Sequence, residues 1–296
     1  MSLTPHYEKI KAAIDNIKVK EDIEVLKEIL KEYEKWVKQM DSIKSKGEQK
    51  VKEMVKLLNE YEDKVEVDLI LEKGTDFLIR QKGQLKLDNT IMEEFLIRLM
   101  DPDIIEELKG VDFLTGPSNA FLSLSFRPQS FSQLGNKPEV ILKTKDCDFI
   151  LGKEIHYMFS SDEEFTKEKT NTGSMVLAVL ASECKINLDK TMFQECAGTA
   201  ARLKSGVPYA KYFVIIEFLD MVPEDCRLTE LDNVFLIRKA KRLPYEKRND
   251  PVEVRKHRKN HPIDAEVILR FVREVKEFLG ARWYDPDAAL KRGSFN

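Results

Sequence analysis

The sequence predicts an α/β protein: a mixed central sheet flanked by helices and preceded by an N-terminal helical arm. Three observations carry that expectation. From Tyr7 to Glu62 the chain is almost free of Gly and Pro, and its apolar residues recur at three- and four-residue steps, as on a helix. Beyond Glu139, short runs rich in β-branched and aromatic residues alternate with one helical stretch. Within them, Val176–Ala181 is apolar at every position, as expected of a strand covered on both faces.

The arm takes residues 1–64. Ile23, Leu26, Leu30, Tyr33, Trp36, Val37 and Met40 form one stripe, and Val51, Met54, Val55, Leu58 and Tyr61 a second. The polar stretch Asp41–Glu48, with Gly47, reads as the turn between two antiparallel helices. Between Tyr7 and Glu62 there are 13 Lys and 13 Asp/Glu, a balance that suits packing or subunit contacts better than a DNA surface. Residues 65–296 form the remainder. Val65–Leu71, Phe77–Arg80 and Leu85–Leu87 read as short apolar runs separated by turns. A helix with Ile91, Phe95, Leu96 and Leu99 on its apolar face follows, capped by Asp88 or Asn89 and ended by Asp101-Pro102. Thr115–Asn119 reads as a loop leading into a strand at Ala120–Phe126. Glu139–Lys143, Asp148–Phe159 (interrupted at Gly152-Lys153) and Met175–Ile186 are three further strands, the last one central. Asp189 caps a helix to about Lys204, in which Ala197-Gly198 permits close approach to the sheet. Tyr212–Leu219 and Val234–Ile237 complete the set of strands, in an order that requires a mixed sheet.

Composition narrows the function. With 42% apolar and 34% charged residues, the chain is expected to be globular. No run approaches the length needed to cross a bilayer, and the first eleven residues are charged without a signal-peptide core, so a cytoplasmic location is expected. Cys147, Cys184, Cys196 and Cys226 form no C-x-x-C pair and have no histidine at ligand spacing, which argues against zinc and disulfides. There is no G-x-S-x-G elbow and no phosphate-binding P-loop. His156, and His257 with His261, lack the companions of a metal site.

The chemistry gathers on the central strand. Glu183-Cys184-Lys185 places a carboxylate and an amine on the same strand face, roughly 7 Å apart. Such a carboxylate can hold a divalent cation, while the ammonium orients the attacking water and stabilises a pentavalent phosphate. A magnesium ion wants a second acid from another side. Asp148, directly ahead of an apolar strand, supplies it; Asp146, two residues earlier, is the alternative. Glu217, inside the strand Tyr212–Leu219, is either one half of a structural ion pair or a group near the metal.

Asp148 … Glu183-Cys184-Lys185, followed by helix and strand, resembles the PD-(D/E)xK nuclease core, with Cys147 at the position that often carries proline. Longer stretches, Thr115–Phe121, Glu183–Glu195 and Lys211–Phe213, are similar to type II restriction endonucleases of the BbvCI kind, which cut short asymmetric DNA sites with two related subunits. The resemblance covers a core at about 113–242 and leaves the arm unassigned. It implies a restriction-endonuclease-like fold and Mg²⁺-dependent cleavage of double-stranded DNA. Asp148 and Glu183 would be metal ligands and Lys185 the third catalytic residue. A homodimer or a heterodimer with a related subunit would be expected, as would a companion methyltransferase. A repair or RNA-processing nuclease with the same core, and a non-catalytic DNA-binding or assembly subunit, remain open.

Although the net charge is −3, Arg238 to Lys259 hold ten Lys/Arg against three acids. This run is either a solvated face or a phosphate-binding one. If the latter, Arg238, Lys239, Lys241 and Arg242, leaving the end of a core strand, are the expected DNA contacts. Arg127 and Gln129 are candidates for reading base edges.

Overall fold

The computed structural model describes residues 3–294. Three helices open the chain: α1 (Pro5–Asn16), α2 (Lys20–Ser42) and α3 (Gly47–Asp63). The expected turn between stripes lies between α2 and α3, and a further break after Asn16 separates α1. Then come α4 (Asp76–Gln81), α5 (Thr90–Leu99), β1 (Leu114–Phe126), β2 (Val140–Ser160), β3 (Thr170–Leu188), α6 (Lys190–Gly206), β4 (Lys211–Leu219), β5 (Asn233–Lys241), α7 (Pro251–Asn260), α8 (Ala265–Gly280) and α9 (Pro286–Arg292).

The five strands lie in sequence order, β1-β2-β3-β4-β5, with β3 central. β1, β2 and β3 pair antiparallel in succession; β3, β4 and β5 pair parallel. Helices cover both faces, as the fully apolar stretch of β3 requires. On one face, Phe149, Leu151, Leu180, Phe213, Ile215 and Phe235 pack in a single cluster with α1, α2, α3, α5 and α8. On the other, Ile150, Ala181, Tyr212, Val214 and Ile216 pack against Phe193, Ala200 and Leu203 of α6. Asp189 caps α6 as expected, its carboxylate accepting the Met192 N–H at 2.8 Å.

Several expectations are corrected. Val65–Leu71 is helical: Lys64–Leu71 continues α3 in a wider, π-type winding. Its burial is two-sided, because Val65, Leu69 and Ile70 join the main core while Val67 and Leu71 meet Val254 of α7, so the stripe is lost and the run imitates a strand. Phe77–Arg80 likewise belongs to α4, capped by Thr75, and Leu85–Leu87 lies in the turn that precedes α5. Thr115–Asn119 is part of β1: an edge strand tolerates Pro117, whose missing N–H leaves one gap in the ladder. The runs Glu139–Lys143 and Asp148–Phe159 fuse into one strand. Gly152 does not interrupt it but lets β3 approach, since a Cβ there would lie 2.2 Å from the Leu177 carbonyl oxygen. Gly198 has open space around it; the close helix–sheet contact is at Gly206, where a Cβ would lie 2.1 Å from the Leu122 carbonyl oxygen.

Candidate active site

The site forms where β2 leaves β3. Their ladder runs from Ser160↔Thr170 to Phe149↔Ser182 and stops there. On the opposite edge, β1 pairs Gly116 with Ile150 and Ser118 with Cys147, so Pro117 faces two residues, Asp148 and Phe149. A proline offers no donor, and the β2 strand bulges opposite it. Bulged away from β1 and splayed from β3, Asp148 turns its side chain toward β3. Its Oδ2 accepts the backbone N–H of Cys184 at 2.9 Å and lies 3.4 Å from Lys185 Nζ.

Strand periodicity does the rest. Cys184 points into the core shared with α5 and α8, so Glu183 and Lys185 share the opposite face. Lys185 Nζ donates to Glu183 Oε2 at 2.7 Å. Glu183 Oε1 accepts from the Tyr212 hydroxyl of β4 at 3.2 Å and lies 3.0 Å from Lys145 Nζ. On the far side, Lys86 Nζ lies 4.0 Å from Asp148 Oδ1. The residues expected from the sequence, Asp148, Glu183 and Lys185, are therefore brought together, with Lys185 bridging the two carboxylates. Asp146 is exposed, pairs with Asn119 on β1 and lies outside these contacts.

The electrostatics follow from burial and from these pairs. Burial raises the Asp148 carboxyl above its ordinary value, with the Lys185 ammonium opposing and the Glu183 charge adding to the rise. Burial also works against ionised Glu183, but Lys185 and Lys145 outweigh it and hold the carboxyl below its usual range. For Lys185 burial is overcome by Asp148 and Glu183, so the ammonium is held well above the ordinary lysine value. Lys185 is therefore held as an ammonium that donates hydrogen bonds.

Sequence reasoning missed four neighbours: Lys86, Lys145, Tyr212 and Glu93. Glu93, on α5, is buried with Oε1 unpartnered, and burial together with the Asp148 charge raises its carboxyl to about 7. The one signal for it was a carboxylate in a helix buried on nearly every side.

The basic segment divides. Arg238 is not a DNA contact: its side chain is fully buried, with Nε donating to Glu217 at 2.6 Å, NH2 paired with Glu62 and NH1 donating to the His261 carbonyl at 3.1 Å. Arg258 closes the cluster on Glu62 at 2.6 Å, which makes Glu217 a structural ion-pair residue. Arg238 turns inward because β5 carries two extra residues, with Lys239 at φ 50°, between its pairings to Ile216 and Phe218. Lys239 is exposed and bound to Asp264 at 2.5 Å. Lys241 is exposed, and Arg242 lies 3.5 Å from Asp220. Arg242 lines the same cavity as Lys185, a cleft of about 520 Å³. Arg127 is paired with Glu139 and, with Gln129, lies around a separate cavity at the outer ends of β1 and β2.

No group of three His, Cys, Asp or Glu is gathered as a ready-made metal centre among the described residues, and the four cysteines are free thiols. The donor set nonetheless suits a hard divalent cation, which takes one or two carboxylates and completes its shell with phosphate and water. Asp148 and Glu183 already converge on one positive group.

Comparison with known proteins gives this arrangement its class. The fold is similar to that of a solved chain of the native BbvCI A2B2 tetramer, with a TM-score of 0.67 and 19% identity, over 93% of this chain and 95% of that one. Residues 84–295 match the family of the Bpu10I restriction endonuclease. No curated protein matches. The chain is a type II restriction endonuclease, a site-specific deoxyribonuclease. It belongs to the Bpu10I restriction endonuclease family. Such enzymes generally depend on a divalent metal ion. Among the described residues no helix is long and apolar enough to cross a membrane.

Proposed function

We propose that the chain hydrolyses phosphodiester bonds of double-stranded DNA through a PD-(D/E)xK site in which Asp148 and Glu183 hold Mg²⁺ and Lys185 is the third catalytic residue. The observation that carries this reading is the Lys185 ammonium set between the two carboxylates, 3.4 Å from one and 2.7 Å from the other. When bound, the ion would polarise the phosphate and lower the pKa of a coordinated water. Lys185, kept protonated by its partners, donates a hydrogen bond to the attacking water or to a phosphate oxygen as negative charge develops there. Tyr212 fixes Glu183, and the Cys184 N–H fixes Asp148, so that each carboxylate is held beside Lys185. Glu93 is a third acid beside Asp148 that could reach the ion through water. Lys239, Lys241 and Arg242 remain as phosphate contacts, and Arg242 shares its cleft with Lys185.

One such site cuts one strand, so double-strand cleavage requires two sites and therefore a second copy or a related subunit. The likeness to a chain from an A2B2 assembly supports the latter. A cytoplasmic enzyme with a companion methyltransferase protecting the host sites completes the reading.

Supercoiled plasmid incubated in Mg²⁺ with wild type and with Lys185→Glu tests it. Discrete linear fragments from wild type alone support a site-specific nuclease, and nicked circles alone point to a missing partner. Cleavage by Lys185→Glu overturns the assignment.

A further inference from the structure

Five charged side chains alternate in sign across the site: Lys86, Asp148, Lys185, Glu183, Lys145. Lys185 faces one oxygen of each carboxylate, Asp148 Oδ2 and Glu183 Oε2. The outer lysines face the other two: Lys86 Nζ is 4.0 Å from Asp148 Oδ1, and Lys145 Nζ is 3.0 Å from Glu183 Oε1. The row holds three positive charges against two negative ones, and hydrolysis as proposed uses only the middle lysine.

Lys86 is held in place against a backbone preference. Its φ is 55°, a left-handed conformation that a non-glycine residue keeps only where its surroundings enforce it. They do: its N–H donates to the Gly83 carbonyl at 3.1 Å, and its own carbonyl accepts the Thr90 hydroxyl at 2.6 Å. The Lys86 side chain is 45% exposed and that of Lys145 33%, so each is paired with a carboxylate while part of the side chain meets solvent.

We propose that Lys86 and Lys145 are phosphate-binding residues that grip the DNA backbone on the two sides of the scissile phosphodiester. The proposal rests on the reading of Asp148 and Glu183 as metal ligands. Once those carboxylates are neutralised by a divalent cation, the outer ammoniums lose their partners and meet a like charge. They then turn to the nearest available anion, the nucleic-acid backbone. Their grip on DNA is therefore stronger with the cation present than without it.

The test is the salt dependence of binding to linearised plasmid DNA, measured by filter retention across a KCl series, metal-free and with Ca²⁺ replacing Mg²⁺. In Ca²⁺, Lys86→Gln and Lys145→Gln should each reduce the slope of log K against log[KCl] by about 0.9, and the double variant by about twice that. Without metal the reductions should be smaller, and Lys145→Arg should keep the wild-type slope throughout. Melting curves confirm that each variant is folded. Wild-type slopes for both single variants and the double variant in Ca²⁺ would overturn the proposal, as would reductions equally large without metal. A Glu183→Gln enzyme that still cuts plasmid overturns the site itself; an inactive one with unchanged lysine slopes overturns only the grip.

Discussion

The carboxylate of Asp148 accepts the backbone N–H of Cys184 at 2.9 Å, in the place where β2 and β3 have stopped pairing. One side chain thus closes the end of a ladder and holds a negative charge beside Lys185. The two roles separate in Asp148→Asn, whose amide oxygen can still accept the Cys184 N–H while the charge is gone. Plasmid linearisation should fall by about 10²–10³-fold or more, the scale of losing one interaction with developing charge. Thermal stability should stay close to wild type. Asp148→Ala should lose activity equally and also leave a buried donor unpaired, costing about 1–3 kcal/mol in a urea titration. Equal stability losses in the two variants would refute the separation.

Much of this site is legible in the sequence. The period of two puts Glu183 and Lys185 on one face, the doubly apolar Val176–Ala181 run makes their strand central, and Asp189 marks the helix that follows. The bulge opposite Pro117 was not legible, because a Gly-Pro pair reads as a loop unless the strand is known to lie at the sheet edge. Nor were Lys86 and Lys145, since lysines at unremarkable positions become site residues only through the fold. Arg238 misled for the opposite reason: in a run of ten basic residues nothing local shows that Glu62, 176 positions away, waits for this one.

His6 ties α1 to the core. Its Nδ1 lies 2.8 Å from the Thr90 hydroxyl and its Nε2 2.7 Å from the Tyr61 hydroxyl, and complete burial lowers its pKa from 6.5 to about 3. An unfolded chain takes up a proton near 6.5 that the folded one refuses until about 3. The stability linked to His6 is therefore fully present above that upper value and is lost as pH falls through the interval, by up to about 5 kcal/mol. Urea titrations between pH 7 and 4 should show wild type losing stability more steeply than His6→Gln. Parallel profiles would mean that the ring is not held neutral.

Glu62, Glu217, Arg238 and Arg258 form a buried quartet joining α3, β4, β5 and α7. Two carboxylates and two guanidiniums balance, so removing one arginine leaves an uncompensated negative charge in a dry site. Burial, with the neighbouring Glu217 charge, already raises the Glu62 carboxyl to about 7 even with both arginines in place. Arg238→Gln should therefore destabilise the protein by about 3–5 kcal/mol in a urea titration. Adding Glu217→Gln should recover a substantial part of that loss, because the excess charge goes with it. The salt slope of DNA binding by folded Arg238→Gln, measured at low temperature, should match wild type, since its guanidinium touches no solvent. In Lys241→Gln, whose ammonium is exposed, the slope should fall by about 0.9 with no cost in stability. A reversal between the two variants, with Arg238 changing the slope and Lys241 the stability, would return Arg238 to the DNA surface.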